Sequence, residues 1–244
     1  MLKTRGVRLL KEEEQMRKIL LTTLAITAAW MATAFAAEKT VEAPARADDN
    51  AQAVIDEVQK ECITQGIRLL APEKAKRLAE LLRKAKPRLV VECGTAIGYS
   101  GLWIARELKA AGRGKLITIE INADLSRRAE ANFRKAGLVE YVTLRVGDAR
   151  KIVKELKGPI DFVFLDCGPE NYHACFLGLE DKLRDGAIVV ADNAGYGARG
   201  MAGYLKHVRS KYTSTTEWFD INLPWAKRDA IEVTVNSPRQ REQK

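Results

Sequence analysis

Between Leu89 and Ala105 the chain reads LVVECGTAIGYSGLWIA. An apolar run of strand character leads to a carboxylate, Glu92, then to three glycines, Gly94, Gly98 and Gly101, and then to a second apolar run that suits a helix. Strand, glycine turn and helix make up the opening unit of a parallel α/β sheet. Glycine lets the backbone pass close to a ligand, and the start of the helix offers unpaired N–H groups. The spacing G-x3-G-x2-G departs from the dinucleotide fingerprint G-x-G-x-x-G and counts against NAD. On this stretch alone, a βα turn that holds no ligand is the alternative.

The rest of the chain extends the alternation. Asp49 or Asn50 caps a predicted helix running to about Thr64, and a second helix starts at Pro72 and ends before Pro87. Predicted strands at Leu89–Cys93, Lys115–Glu120, Tyr141–Val146, Ile160–Leu165 and Ala187–Ala191 are separated by predicted helices. These helices cover Tyr99–Ala111, Ala123–Ala136, Ala149–Leu156 and Asn171–Leu183, and another follows at Gly200–Lys211. Thr213–Asp220 and Ile231–Val235 supply a closing pair of strands. The expectation is a doubly wound α/β fold: a mostly parallel, seven-stranded, Rossmann-like sheet with helices on both faces.

Ligands of such sheets bind at the carboxyl ends of the strands. Four successive strands bring an acidic group to that edge: Glu120, Asp148 just past a strand, Asp166 and Asp192. Glu120 suits the ribose hydroxyls of a nucleoside, and the Gly147-Asp148-Ala149 turn an adenine. S-adenosylmethionine (SAM) fits better than a dinucleotide, because it is a sulfonium cation with no pyrophosphate to cradle. Asp166, Asp192 and Asn193 are hard oxygen donors at neighbouring strand ends and match Mg²⁺ or a similar cation. Two readings stay open for the last two residues: metal ligands, or caps of the following helix.

The N-terminus differs in kind. Met16-Arg17-Lys18 precedes an uncharged run from Ile19 to Ala36 that ends Ala34-Phe35-Ala36, the pattern of a secretory signal peptide or, uncut, a membrane anchor. Residues 1–36 are expected to be an extension plus that segment, with translation starting at Met16. Residues 37–49 then form a linker, residues 50–236 the catalytic-type domain and residues 237–244 a polar tail. An exported or anchored domain is expected, or a cytoplasmic one if the segment is not used, with membrane contact only through that segment. The net charge of +9 is scattered among acidic residues, which argues against a nucleic-acid stripe. Four cysteines without a C-x-x-C pair argue against structural zinc. Cys93 and Cys167 follow neighbouring strands, so a disulfide is conceivable, with unpaired thiols as the default.

From about Asn50 to Val235 the chain resembles the catechol O-methyltransferase family. The resemblance rests on Asn50-Ala51-Gln52, VVECGTAIGYS, Leu116–Asn122, Val142-Thr143-Leu144, Phe162–Asp166, Ala191-Asp192-Asn193, Leu205–Arg209 and Asp229–Glu232. It implies a class I SAM methyltransferase fold with SAM held by Glu92, Gly94, Tyr99, Ser100, Glu120, Asp148 and Ala149. It further implies a divalent cation on Asp166, Asp192 and Asn193, and in-line methyl transfer to one hydroxyl of a catechol-like or vicinal-diol small molecule. One position departs. The family's general-base lysine, three residues after the strand-four aspartate, is Pro169 here. Glu170 and His173 are the nearby substitutes, and acidification of the acceptor by metal is the other route. The alternative is an exported SAM-fold binding protein that transfers no methyl group. Asp220 and Asn222 are candidates for the family's late acidic substrate contact. Trp225, with Trp218, Phe219, Leu223 and Pro224, suits an acceptor wall, the core or a homodimer surface equally.

Overall fold

The computed structural model describes residues 47–238. The signal or anchor segment, most of the linker and most of the tail lie outside these residues. Among the described residues no helix is long and apolar enough to cross a membrane.

Two helices, α1 (Ala47–Gln65) and α2 (Pro72–Ala85), precede the first strand. There follow β1 (Leu89–Cys93), α3 (Tyr99–Ala110), β2 (Lys115–Glu120), α4 (Ala123–Lys135) and β3 (Val142–Val146). Next come α5 (Ala149–Glu155), β4 (Ile160–Leu165), α6 (Tyr172–Leu177) and β5 (Leu183–Ala191). Then α7 (Ala202–Lys211) leads to the long hairpin of β6 (Tyr212–Leu223) and β7 (Ala226–Pro238). The seven strands form one sheet in the order β3-β2-β1-β4-β5-β7-β6. β1 to β5 pair in parallel and β7 runs antiparallel to both of its neighbours. The strand order reverses between β1 and β4, so the crevice for a ligand lies above their ends.

Alternation along the central strands builds both faces of the core. Val90, Phe162, Phe164 and Val190 point to one side and pack with Leu78, Leu102 and Phe133 of the helices there. Val91, Val163, Leu165 and Val189 point to the other and meet Ile152, Phe176 and Tyr204. With helices on both sides, every residue of β4 is buried, and from Phe162 to Leu165 the strand reads as a continuous apolar run.

Several boundaries differ from the sequence reading. α1 begins at Ala47, so Asp49 and Asn50 lie in its first turn and do not cap it. The helix expected over Asn171–Leu183 is short. It ends at Leu177, and Gly178 follows where α6 leans on α5: a side chain there would meet Val153 at 2.7 Å. A 3₁₀ turn at Glu180–Lys182 then feeds β5, which starts at Leu183 opposite Ile160 and not at Ala187. The closing strands are also longer than the apolar pattern shows, because they pair with each other beyond the edge of β5.

Phe133 of α4 ties the helical layer to the glycine turn. It is fully buried, and its ring lies where side chains at Gly98 and Gly101 would fall, 3.3 Å and 2.7 Å away. Phe133→Ala is therefore expected to cost about 3–5 kcal/mol of unfolding free energy, measured by denaturant melts, and a loss under 1 kcal/mol would show that the turn collapses onto α4 unaided.

Candidate active site

The glycine turn lies over the ends of β1 and β4. Gly94 has φ +99°, and a side chain there would fall 2.4 Å from the carbonyl oxygen of Asp166, so only glycine fits between the two strands. Ala96 also has a positive φ of 48°, an uncommon conformation for alanine. Glu120 holds it in place. One carboxylate oxygen accepts N–H bonds from Thr95 (3.2 Å) and Ala96 (2.8 Å), and the other accepts one from Asn122 at 2.9 Å. Three of the roughly four lone-pair positions of Glu120 are therefore taken by its own chain.

A cavity of about 310 Å³ opens beside this turn, within the usual range of small-molecule sites. Gly94, Tyr99, Ser100, Glu120, Asp148 and Ala149 all line it. Arg68, Leu69 and Leu70, from the segment between α1 and α2, form another wall. Glu92 is not among the lining residues. It is fully buried beneath the turn, where Ser100 and Thr118 each donate a hydroxyl hydrogen bond of 2.6 Å to its carboxylate. Burial pushes the Glu92 carboxyl up from 4.5 to about 7, against the pull of those two hydroxyls, and the Glu120 charge adds to the rise. Asp148 lies at the cavity rim but caps α5 through the N–H of Arg150 and pairs with that residue's guanidinium at 2.8 Å. Both features of its side chain serve local structure first.

The second constellation adjoins the first through Asp166, which lines the cavity and approaches Asn193, whose amide donates to it at 3.3 Å. Asn193 has φ 60°, a left-handed conformation that asparagine tolerates, and this turns its side chain back toward β4. Asp192 is buried, and one of its oxygens takes a hydrogen bond from the Lys74 ammonium at 2.5 Å. Lys74 also donates to Asp229 on β7 at 2.6 Å. Burial alone would drive Lys74 toward the neutral form, but the two carboxylates outweigh it and hold the ammonium charged. Burial, together with the Asp192 charge, pushes Asp166 well above the ordinary carboxylate value.

Two carboxylates, Asp192 and Asp229, thus clasp one ammonium, and a divalent cation held by Asp166 and Asp192 would favour the charged form of Asp166 that burial disfavours. Tyr172 also has a buried hydroxyl without a partner, its ionisation suppressed by burial and then by the charges of Asp166 and Asp192. An unsatisfied polar atom beside hard oxygen donors fits a site for a hydrated ion. Among the described residues no three His, Cys, Asp or Glu side chains gather as metal ligands. The donor set is two carboxylates and one amide.

The proposed base substitutes fall elsewhere. Pro169 starts a 3₁₀ turn and packs on the loop after Asn193: side chains added at Gly197 and Gly200 would meet it at 2.8 Å and 3.1 Å. Glu170 is exposed and its carboxylate folds back over Gly168. His173 faces α7, where its ring contacts His207 at 5.4 Å between centroids, and its buried Nε2 has no partner. Neither Glu170 nor His173 lines the cavity. Asp220 and Asn222 are exposed, and Asn222 accepts a bond from Lys227 at 3.3 Å. Trp225 lies under the Arg68 guanidinium at 5.0 Å, which links the β6–β7 hairpin to a wall residue of the cavity. All four cysteines are free, and the close thiol pair is Cys167 with Cys175, at 3.7 Å.

Sequence reasoning missed Lys74 and Asp229 as site residues. The signal for Lys74 was present: it falls on the same buried face of α2 as Ala75, Leu78 and Leu82, where a lysine needs a partner.

Comparison with known proteins identifies the family and the fold. A family described as a methyltransferase domain matches residues 91–194. The chain is 35% identical over 136 residues to a catechol O-methyltransferase of Sus scrofa, an alignment covering 53% of this chain and 71% of that protein. It is 32% identical over 171 residues to a catechol O-methyltransferase of Bos taurus, covering 67% of this chain and 61% of that one, so the chain spans about three fifths of the bovine relative. A crystal structure of an O-methyltransferase from Bacillus cereus in complex with SAH superposes with a TM-score of 0.65 at 21% identity, over 75% of this chain and 90% of that one. That likeness shows the fold, the α/β sheet of class I SAM-dependent methyltransferases. The chain belongs to the catechol O-methyltransferase-like family of SAM-dependent O-methyltransferases.

The state of Glu92 sets a pH dependence. Between pH 4.5 and about 7 the folded protein keeps a proton on Glu92 that the unfolded chain has released, so this group lowers stability as pH rises through that window. Glu92→Gln removes the effect. It should match the parent at about pH 4 and exceed it by about 1–3 kcal/mol at about pH 8 in denaturant melts, whereas an equal difference at both pH values would place the proton elsewhere.

Proposed function

We propose that this protein is a SAM-dependent, divalent-metal-dependent O-methyltransferase acting on a catechol-like or vicinal-diol small molecule. The observation that carries the reading is the double role of Asp166, which lines the glycine-turn cavity and belongs to the oxygen donor set with Asp192 and Asn193. A methyl donor in the cavity and an acceptor oxygen at the donor set would meet at that residue. The names of the relatives support the same chemistry.

In this reading Gly94 admits the cofactor close to the backbone, and Tyr99, Ser100 and Ala149 shape its walls. Glu120 has one acceptor position free for a ribose hydroxyl, while its other bonds keep the turn shaped. Glu92 supports Ser100 and Thr118 from below and does not touch the ligand. Asp166, Asp192 and Asn193 would hold Mg²⁺ or a similar ion, which supplies acidification and orientation of a bound hydroxyl. With proline at position 169, and with Glu170 and His173 away from the cavity, neither candidate substitute is placed to serve as general base. A positioned base is typically worth about 10²–10⁴-fold, so turnover is expected to be slow and to follow the acidity of the acceptor itself.

The test uses the full chain. SAM should bind in calorimetry with or without Mg²⁺, and methyl transfer to a catechol panel should stop on chelation. The rate should rise with pH along a limb that moves when a more acidic catechol is substituted. Turnover that survives chelation would overturn the metal assignment. SAM binding without turnover on any catechol or diol would favour the binding-protein alternative, and failure to bind SAM would overturn the cavity assignment.

A further inference from the structure

Lys74 is fixed in a way that a surface lysine is not. It lies in the first turn and a half of α2, only 2% exposed, and its ammonium is clamped between Asp192 and Asp229. Asp229 is itself fully buried and uses both oxygens. One takes the lysine, and the other accepts the backbone N–H groups of Gly195 and Tyr196, each at 3.1 Å. A side chain at Gly195 would fall 2.6 Å from that same oxygen, so the turn is moulded onto Asp229. The next carbonyl on β7 is engaged too: Ala230 accepts the N–H of Ala194 at 2.8 Å. The segment Asp192–Tyr196, which contains two of the three candidate cation ligands, is therefore pinned by a linked pair, an α2 lysine on Asp192 and a β7 carboxylate on the Gly195 and Tyr196 amides.

We propose that Lys74 and Asp229 are positioning residues of the cation site: the ammonium occupies one Asp192 oxygen so that the other is presented to the ion, and Asp229 fixes the turn that orients Asn193. This rests on the metal reading above and adds two residues that supply no ligand atom themselves. A purely electrostatic role makes the opposite prediction, and that separates the two. Removing a positive charge 2.5 Å from a ligand carboxylate should tighten cation binding if charge alone matters. Removing the lysine and Asp229 together changes the net charge by nothing and should leave affinity unaltered on that view. Loss of an outer partner that orients a ligand weakens metal binding, typically about 10–100-fold.

The experiment titrates Mn²⁺ alone into full-length parent, Lys74→Met and the charge-neutral double variant Lys74→Met/Asp229→Asn, following free Mn²⁺ by electron paramagnetic resonance. Both variants should bind Mn²⁺ at least about tenfold more weakly than the parent, while SAM affinity, measured by calorimetry, stays within about twofold because neither residue lines the cavity. Tighter binding by Lys74→Met, or unchanged binding by the double variant, would overturn the positioning role and leave the metal site intact. Loss of SAM binding along with Mn²⁺ would overturn it as well, by showing that the pair holds the fold as a whole. Absence of Mn²⁺ binding in the parent would instead overturn the metal reading on which the proposal rests.

Discussion

A chain of backbone hydrogen bonds just beyond the strand ends sets the geometry of the site. Gly147 donates to Glu120 at 2.8 Å, Gly94 to Ile119 at 2.9 Å, Asp166 to Cys93 at 2.8 Å and Asp192 to Leu165 at 3.0 Å. Each bond extends the parallel ladder one step past the regular strand, so the first residue of each loop is held in register with the neighbouring strand. Register has a period of two along a strand, and a slip of one residue would turn Asp166 or Asp192 away from the shared edge. The close approach of Gly94 to the Asp166 carbonyl is part of the same constraint. It brings the cavity and the oxygen donors within one residue of each other.

The two glutamates at this edge show how a small change of position along a strand changes what a carboxylate does. Glu92 pairs in register with Thr118, inside the sheet, where two hydroxyls satisfy it and burial favours its proton. Glu120 is the last residue of β2 and reaches the cavity, where it braces the positive-φ turn at Ala96. The first stabilises the floor and the second is available to a ligand. Sequence alone makes them look equivalent, since each is an acidic residue at the end of an apolar run.

Much of the fold was legible because it depends on local pattern. The five parallel strands, the glycine turn and the acidic strand ends follow from runs of apolar residues closed by glycine or a carboxylate. The misreadings have a common cause, which is contact between elements distant in sequence. α6 ends just before Gly178, which lies close against Val153 of α5, and the length of β6 and β7 depends on their pairing with each other. His173 was a candidate base because of its spacing from Asp166, yet on a six-residue helix it turns to the opposite side, against α7. Lys74 and Asp229 are 155 positions apart, and no local signal says that they meet.

The proline at position 169 belongs to the same packing. Its ring fills the space that Gly197 and Gly200 leave open, just along the loop from Gly195 and Tyr196, which the Asp229 oxygen holds. The loop is therefore held at two places, by a ring that cannot move protons and by a carboxylate already engaged with a lysine. A flexible lysine at position 169 would offer a base but no such wedge. The chain instead has a braced donor loop, with Glu170 and His173 both outside the cavity lining. In the metal-dependent reading proposed above, that arrangement would place the burden of activating a hydroxyl on the cation site, and the fixed orientation of Asp192 and Asn193 would matter more than it would beside a positioned base.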